Sequence, residues 1–415
     1  MKTSRKFVAS LAILCLGSLG CQKHLPQEGL WRGTLDLPEG RQLPFQMYLD
    51  LNGAAPAGYF VNGPDRTPIP EIYHRNDSLI FVFSEYGAAM GGAWKSGKLM
   101  GHFLRFRKDT TAMTFQASPI AAAPVAATTT PKTELPLVGK FVVYLRNKDM
   151  IDSSMSATFW ARGDSVFGTF IAADGDLGLM AGSWSDDRLQ LSRFTGWQAN
   201  MLDLRRDHGH WWGKYFVRNG TPMPFSLEPV VSLPKASRGT AHTIMKNPRK
   251  PFEFSGLTVT GDTLRSADPR LKGKVLLLDI MGTWCHNCMD EAPLLQQLYS
   301  EFGDQGLEVI GLSFELSNDF VTARKNLLLY QERYGITFPV LFCGTTEAAN
   351  VQARLGSQVA NFFAYPTSIF VDRRGIVQAI HEGFKGPGTG EEYQQQVQEY
   401  YDAVKKLMKA RIAAR

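Results

Sequence analysis

The feature that most constrains this chain is a pair of cysteines, Cys285 and Cys288, between two regular segments of different pattern. Residues 273–280 contain the apolar run Val-Leu-Leu-Leu-Asp-Ile, which is typical of a strand buried on both faces. Residues 289–303, directly after the pair, are typical of a helix. The pattern therefore predicts a strand, a Cys-x-x-Cys turn and a helix that begins at that turn.

A cysteine at the start of a helix faces free backbone N–H groups and the positive end of the helix dipole. Such a position lowers a thiol pKa from about 8.5 to roughly 3.5–7.5, so that the thiolate can attack disulfides at neutral pH. The spacing puts the second cysteine one turn further along, where it can attack a mixed disulfide. We therefore expect Cys285 to be the nucleophile and Cys288 the resolving thiol.

The same pair could instead be half of a zinc site or an inert structural bridge. Zinc needs two further Cys or His ligands at suitable spacing, and only Cys343 and scattered histidines are available. We therefore expect no metal, and no cofactor other than a redox-active disulfide between Cys285 and Cys288. Cys343 is expected to be a small buried residue, with a second redox role as the alternative.

The C-terminal segment, 252–415, has the element order of the thioredoxin fold, which is an α/β fold. Strand-like and helix-like segments first alternate and then end in a hairpin and a helix. The predicted elements are a hairpin at 252–262, a strand at 273–280, a helix at 289–303, a strand at 307–312, a helix at 319–334, strands at 338–342, 367–371 and 376–380, and a helix from about residue 391.

The motifs of this segment resemble the TlpA/ResA-like thiol–disulfide oxidoreductases of the redoxin superfamily over residues 252–412. The resemblance rests on Trp-Cys-x-x-Cys at 284–288, on Glu, Pro and Leu at 291, 293 and 295, and on Tyr-Pro-Thr at 365–367 before a strand and the turn Asp-Arg-Arg-Gly. It implies a disulfide-exchange enzyme.

The resemblance also implies roles for single residues. Pro366 would be a cis-proline that faces the cysteines, with an ordinary trans loop proline as the alternative. The backbone of Tyr365 would bind the substrate chain like an extra strand. Trp284 and Thr367 complete the expected substrate contacts.

Two acidic residues are expected near the sulfur atoms. The resemblance implies that Glu291 tunes the thiols, and thioredoxins proper hold a buried Asp at the place of Asp279, where many TlpA-like proteins have Asn. Burial would raise the pKa of each carboxyl, and either could take a proton from Cys288. The alternatives are an ordinary helix N-terminal charge for Glu291 and a strand-end polar residue for Asp279.

His286 and Asn287, between the two cysteines, are expected to set the reduction potential. An ionised His286 would stabilise the neighbouring thiolate and make the couple more oxidising. The carboxyl groups act in the opposite direction. The sequence therefore leaves the direction of electron flow open.

The N-terminus resembles a secretory signal. A basic start is followed by an apolar run at 7–19, which is too short for a permanent membrane span. Small residues then precede Cys21, as at a bacterial lipoprotein cleavage site; a plain cleaved signal or an uncleaved anchor is the alternative. We expect a signal peptide at 1–20, a lipid on Cys21 and a location in the bacterial cell envelope facing the periplasm. Of five cysteines, three remain in the mature chain, which excludes a disulfide-stapled scaffold.

The region between the signal and residue 232 alternates apolar and polar residues as antiparallel strands do. Several residues recur 110 positions later, which indicates an internal duplication: Gly29, Gly53, Gly58, Phe60, Asp77 and Leu79 match Gly139, Gly163, Gly168, Phe170, Asp187 and Leu189. The predicted organisation is a β unit at 21–118, an Ala/Thr/Pro-rich linker at 119–135, a second β unit at 136–232 and a linker at 233–251. The expected fold class is thus multidomain, a duplicated all-β region followed by a thioredoxin fold.

The leading functional hypothesis is the reduction or exchange of disulfides in exported proteins, with electrons from a membrane or periplasmic donor. Nucleic acid is not an expected partner, because the net charge of +6 comes from scattered basic residues. One alternative is a thiol peroxidase, although peroxiredoxins have Thr or Ser where Gly282 stands. The other is a ligand-binding lipoprotein whose β units do the main work beside an accessory redox domain.

Overall fold

The structure is a computed structural model, and it describes residues 28–53, 55–106, 109–120, 137–147, 150–185, 188–230 and 243–410. The predicted signal segment, Cys21 and nearly all of the linker at 119–135 lie outside these residues. Within the described ranges, no helix is long and apolar enough to cross a membrane.

The first β unit is one antiparallel sheet. Its strands are β1 (Glu28–Leu37), β2 (Arg41–Asp50), β3 (Ala57–Asn62), β4 (Asp65–Pro68), β5 (Glu71–Arg75), β6 (Ser78–Phe83), β7 (Ala88–Lys95), β8 (Lys98–Phe106) and β9 (Thr110–Pro119). Over the described part of this unit they pair in the order β4-β3-β2-β1-β9-β8-β7-β6-β5. The sheet is therefore an open half-barrel with β4 and β5 at its edges.

The second β unit closes on itself. Its strands are β10 (Gly139–Asn147), β11 (Met150–Arg162), β12 (Ser165–Ala172), β13 (Gly175–Asp176), β14 (Met180–Ser185), β15 (Arg188–Phe194), β16 (Ala199–Asp207), β17 (His210–Val217) and β18 (Met223–Pro229). The order is β11-β10-β18-β17-β16-β15-β14-β12-β13, and β11 also pairs with β12. Among the described strands, eight thus form a barrel and β13 extends from β12.

Three of the residue pairs that recur at 110 positions occupy matching places in the two units. Gly58 on β3 and Gly168 on β12 both lie against the neighbouring strand: an added Cβ would lie 2.6 Å from the carbonyl oxygen of Tyr48 in one unit and 2.9 Å from that of Thr158 in the other. A larger residue at either place would push the strands apart. Four other members of the recurrence are fully buried core residues: Phe60, Leu79, Phe170 and Leu189.

Phe194, at the end of β15, belongs to the second unit but fills the core of the first. Its ring centroid lies 4.7 Å from that of Phe60 and 5.1 Å from that of Phe45. The side chain of Asn62 fixes this residue, because its Oδ1 accepts from the Phe194 N–H at 3.0 Å and its Nδ2 donates to the Phe194 carbonyl at 3.1 Å. The two β units are therefore interlocked.

The C-terminal domain has a mixed sheet with helices on it. Its strands are β19 (Ile244–Met245), β20 (Ser255–Leu257), β21 (Thr263–Arg265), β22 (Val275–Met281), β23 (Leu307–Glu315), β24 (Val340–Thr345), β25 (Val359–Ala360), β26 (Thr367–Val371) and β27 (Val377–Glu382), and its helices are α1 (His286–Phe302), α2 (Phe320–Tyr334), α3 (Ala348–Leu355) and α4 (Glu391–Lys409). The main sheet has the order β21-β20-β24-β23-β22-β26-β27. Strand β22 lies inside the sheet, parallel to β23 and antiparallel to β26. The predicted fold class, an all-β region followed by an α/β thioredoxin-like domain, is confirmed.

Two details of this domain differ from the sequence prediction. Residues 243–251, placed in a linker, pack against the domain: β19 pairs with β25, and Thr243 is 1% exposed. The short helix α3 was not predicted, since eight residues give little periodic signal.

The first β unit also packs against the C-terminal domain. Arg333 of α2 forms an ion pair with Glu85 at 3.2 Å, and both side chains are largely buried. Beside it, the hydroxyl of Tyr86 donates to the sulfur of Met289 at 3.3 Å. The core of the first unit and the core under α1 consequently form one continuous apolar cluster.

Candidate active site

Cys285 is the residue that caps α1. Its sulfur accepts a hydrogen bond from the backbone N–H of Cys288 at 3.3 Å. The sulfur therefore faces the N–H groups of the first helical turn, which have no partner within the helix. The same thiol donates to the carbonyl oxygen of Tyr365 at 3.4 Å. Its residual exposure is 6%, which makes it the outer member of the pair, because Cys288 is fully buried.

The turn before Cys285 is held by the neighbouring parallel strand. The carboxylate of Glu315 accepts from the backbone N–H of Thr283 at 3.0 Å and from its hydroxyl at 2.7 Å. The indole N–H of Trp284 donates to the carbonyl of Phe314 at 2.8 Å. At Gly282 an added Cβ would lie 2.3 Å from the Trp284 indole nitrogen, so only glycine fits there.

The loop before β26 supplies the opposite side of the site. The Tyr365–Pro366 peptide bond is cis, as the resemblance implies. The Tyr365 ring packs edge-on against Trp284 with centroids 5.2 Å apart. Thr367 is fully buried and its hydroxyl donates to the carbonyl of Ala364 at 2.8 Å, so this side chain holds the loop and faces inward.

Cys288 lies beneath Cys285 in an apolar environment. Burial is the main cause that raises the pKa of its thiol well above the ordinary value, and the charges of Cys285 and Asp279 add to the effect. Its backbone carbonyl accepts from the hydroxyl of Tyr330 at 3.3 Å. This thiol therefore stays protonated until a base takes its proton.

Asp279 and Glu291 are both buried under the pair. Burial raises the pKa of Asp279 well above its usual range, and the negative charge of Glu291 raises it further. Among the described residues, the Oδ1 atom of Asp279 has no hydrogen-bond partner. Burial also raises the pKa of Glu291 to about 7, although its Oε1 accepts from Ser368 at 2.8 Å and from Tyr400 at 2.6 Å. Glu291 can thus hold or release a proton near neutral pH, whereas burial favours the protonated form of Asp279.

The two residues between the cysteines contact the second β unit. His286 Nδ1 lies 3.4 Å from Nε2 of Gln198, and Asn287 Nδ2 donates to the carbonyl of Asp174 at 3.2 Å. Burial, aided by the positive charge of Arg193, lowers the pKa of His286 to about 3. The low pKa favours a neutral imidazole in this docked arrangement.

Further charged groups surround His286. Asp290 Oδ2 lies 3.6 Å from His286 Nε2, and ligand atoms of these two residues and Asp176 lie within 4.8 Å of one another. Asp176 is already satisfied by protein donors, since it accepts from the N–H groups of Gly386 at 2.7 Å and Gly178 at 3.0 Å. The cluster therefore serves to join the second unit to the redox domain.

Cys343 lies away from the pair. It packs with Leu276 and Leu278, whereas Cys285 and Cys288 pack on the other face of the sheet with Leu277. The thiol is 4% exposed, and burial raises its pKa to about 12.

The structure brings together most of the predicted residues, namely Trp284, Cys285, Cys288, Asp279, Glu291, Tyr365 and Pro366. Sequence reasoning missed Glu315, Gln198 and Asp174. A buried acid at a strand end is a usable sequence signal for Glu315, but nothing local marks the other two, because their role depends on contacts between distant segments.

The sequence model of the AhpC/TSA family matches residues 249–380. Solved structures similar to the domain include a thiol:disulfide interchange protein from Chlorobium tepidum TLS, 24% identical over 38% of this chain and 94% of that one with a TM-score of 0.30. A DsbF homologue from Corynebacterium diphtheriae is 23% identical over 41% and 95%, with a TM-score of 0.31.

Curated relatives match the same region. Thioredoxin-like protein YneN of Bacillus subtilis is 30% identical over 131 residues, which is 32% of this chain and 68% of that protein. Thiol-disulfide oxidoreductase ResA of Halalkalibacterium halodurans is 27% identical and that of Geobacillus kaustophilus 28%, over 32% and 27% of this chain. The chain covers 65% and 56% of those two proteins. Through its C-terminal domain, the chain belongs to the thioredoxin-like proteins, and this domain is homologous to the ResA/TlpA-like thiol–disulfide oxidoreductases.

Proposed function

We propose that this protein catalyses thiol–disulfide exchange with exported proteins, with Cys285 as the attacking thiol and Cys288 as the resolving thiol. The observation that carries the proposal is the position of the Cys285 sulfur, which caps α1 and lies 3.4 Å from the Tyr365 carbonyl oxygen. A substrate disulfide bound along the Tyr365 backbone would meet this sulfur first, because Cys288 is buried beneath it.

In the first step the Cys285 thiolate attacks one sulfur of a substrate disulfide and forms a mixed disulfide, while the other substrate sulfur leaves as a thiolate. In the second step Cys288 loses its proton and attacks the Cys285 sulfur, which releases the second substrate thiolate. The substrate gains two electrons and the pair becomes a disulfide. A membrane or periplasmic dithiol donor then reduces the pair, and the reverse sequence would oxidise a substrate dithiol.

The proton of Cys288 needs a nearby base, because burial holds the thiol in its neutral form. Asp279 and Glu291 are the proposed acceptors. Support comes from their burial beneath the pair and from the pKa of Glu291, which is raised to about 7 and so suits general base catalysis near neutral pH.

The test is a trap with the Cys288→Ser variant of the full chain and insulin as substrate. We expect insulin to remain covalently bound to Cys285, because the resolving thiol is absent. The matched control is Cys285→Ser, which retains Cys288 and should trap little. Capture through Cys288 in this control, with an empty trap in Cys288→Ser, would reverse the two roles.

The proposed setting is the periplasmic side of the bacterial cell envelope, with a lipid anchor on Cys21. Support comes from the basic and apolar start of the sequence and the small residues before Cys21. Cells that produce the chain with labelled palmitate should yield a labelled protein, and Cys21→Ser should be unlabelled. An unlabelled wild-type chain would refute the anchor.

The peroxidase alternative is tested with the same proteins. The space at Gly282 is filled by Trp284, so the Thr or Ser of peroxiredoxins has no room there. Peroxide consumption that depends on Cys285, together with no insulin reduction, would replace the exchange proposal. The ligand-binding alternative would require tight binding of a sugar or peptide that survives Cys285→Ser.

A further inference from the structure

We propose that the second β unit completes the redox site, with Gln198 as a positioning residue that holds His286 neutral and thereby keeps the Cys285–Cys288 couple more reducing. This inference rests on the proposed function, since it assigns a regulator to the same cysteine pair. It gives the duplicated β region a chemical role beyond that of a spacer.

The contact is made at the two residues that separate the cysteines. Gln198 faces His286 and the backbone of Asp174 accepts from Asn287, so one β unit contacts both. Nearby, Gly175 and Phe384 form a parallel β-bridge, and the N–H of Gly386 donates to Asp176. The second unit is thus seated on the segment that follows β27 as well as on the start of α1.

The orientation of the Gln198 amide follows from its other partners. Arg193 Nε can only donate, and it lies 2.7 Å from the Gln198 Oε1 atom, so this oxygen is the acceptor. The Nε2 atom then donates to the carbonyl of Leu177 at 3.0 Å and faces His286. The backbone N–H of Gln198 donates to the Thr195 hydroxyl at 3.0 Å, which fixes the loop.

A donating amide at Nδ1 determines the state of the imidazole. Nδ1 must be the unprotonated acceptor, so the ring proton sits on Nε2, which points toward Asp290. In a doubly protonated ring, the Nδ1–H group of His286 would face the Nε2–H group of Gln198, and two donors cannot form a hydrogen bond. The contact therefore selects the neutral Nε2–H form.

The surrounding charges act in the same direction. The positive charge of Arg193, from the second unit, disfavours a second charge on the ring, and Arg193 pairs with Asp65 of the first unit at 3.0 Å. Burial and the charge of Asp176 raise the pKa of Asp290 well above its usual range, so this carboxyl is a weak counter-charge for an imidazolium. Asp176 lies within 4.8 Å of this group but accepts from the backbone N–H groups of Gly178 and Gly386, so its charge is already shared with other donors.

A neutral His286 gives no positive charge to the adjacent thiolate. The dithiol form is less stabilised than it would be beside an imidazolium, and the couple is correspondingly more reducing. If the second unit moved away, His286 would be free to ionise near pH 6.5. The second β unit therefore affects the reduction potential through the single side-chain contact between Gln198 and His286.

The test uses Gln198→Glu, which keeps an oxygen for Arg193 and offers a second oxygen to a protonated Nδ1. We expect the glutathione equilibrium constant to shift about tenfold toward the dithiol, or about 30 mV, and the potential to gain a histidine-dependent inflection with pH. Gln190→Glu, on β15 of the same unit, is the charge-matched control and should shift neither. In a His286→Gln background, the Gln198→Glu shift should disappear.

A direct readout uses the wild-type chain, so it does not depend on a variant folding. Side-chain ¹⁵N spectra, assigned with His286→Gln, should show the Nε2–H form of His286 from pH 5 to 8. An Nδ1–H form, or an unshifted potential in a folded Gln198→Glu protein, would overturn the inference. If the pair failed to equilibrate with glutathione at all, the proposed function would fail, while the tautomer measurement would still report on the contact.

Discussion

The carboxylate of Glu291 accepts a hydrogen bond from the hydroxyl of Tyr400 at 2.6 Å, and both groups are fully buried. This bond and the one from Ser368 stabilise the ionised carboxylate, whereas burial opposes ionisation and is the larger effect. The pKa of Glu291 is raised to about 7 as a result. A group that titrates there, under two cysteines, can change protonation state during a reaction at neutral pH.

The first prediction concerns the resolving step in Glu291→Gln. The amide cannot accept a proton from Cys288, so resolution of a mixed disulfide at pH 8 should slow by roughly 10²-fold if Glu291 is the base. In wild type the rate should rise as the pH passes through about 7, and this rise should be lost. Rapid-quench analysis of the mixed disulfide measures the rate. The control is Glu301→Gln, an exposed acid on the same helix; an unchanged rate in Glu291→Gln would leave Asp279 as the base.

The second prediction concerns stability and pH at the same residue. A carboxyl whose pKa rises from 4.5 unfolded to about 7 folded binds its proton more tightly in the folded state. The stabilisation of the folded state by this proton is therefore complete below pH 4.5 and is lost as the pH rises through 7. The free energy of unfolding changes by roughly 3 kcal/mol between these limits. Urea unfolding from pH 4.5 to 8 should show that wild type loses this much relative to Glu291→Gln. A constant difference between the two would contradict the raised pKa.

Single helices and strands could be predicted from the sequence, whereas contacts between distant segments could not. The strand at 367–371 was predicted with the bounds that the structure has, and the helix at 319–334 begins one residue later, because local signals mark their ends. The turn Asp-Arg-Arg-Gly follows the strand, and the helix is capped by Asp319 and ends before Gly335. The closure of the second barrel was not predictable. It depends on the extra pairing of β11 with β12. The sequence repeats do not specify which strands form this extra pair.

The site divides in the same way. The cysteines, Pro366 and the buried acids belong to motifs that can be read along the chain. Gln198 could not be found, since it comes from a loop 88 residues away from His286 and matters only when two domains dock. The protonation state of His286 could not be decided from the sequence for the same reason, because the sequence shows a histidine beside a cysteine but not what buries it.

The third prediction tests the interlocking of the two β units. Phe194→Ala would remove a side chain packed among Phe45, Phe60 and Phe103 in the first unit, so unfolding free energy should fall by about 3–5 kcal/mol. Trp212→Ala is the control in the second unit. Because the Trp212 side chain is 46% exposed, its removal should lower the free energy of unfolding much less. Chemical denaturation measures both. Equal losses in the two variants would mean that Phe194 does not join the cores.

The fourth prediction concerns the ion pair between the first unit and α2. Arg333→Met would leave Glu85 buried without its partner, so the variant should lose about 3–5 kcal/mol at pH 8. Burial already raises the pKa of Glu85, so at pH 5 protonation of the carboxyl should relieve part of this loss. Glu85→Leu combined with Arg333→Met should recover stability. The exposed pair Lys325–Glu71 on the same interface is the control, since Lys325→Met should cost under about 1 kcal/mol.

The last prediction concerns Cys343. Its thiol is buried on the sheet face opposite the pair, and its pKa is raised to about 12, so little reactive thiolate forms at neutral pH. Cys343→Ala should therefore leave the rate of insulin reduction within about twofold of wild type. Iodoacetamide followed by peptide mass analysis should label Cys285 in the native protein and Cys343 only after unfolding. A large loss of activity in Cys343→Ala, with the fold intact, would assign this thiol a redox step that its burial argues against.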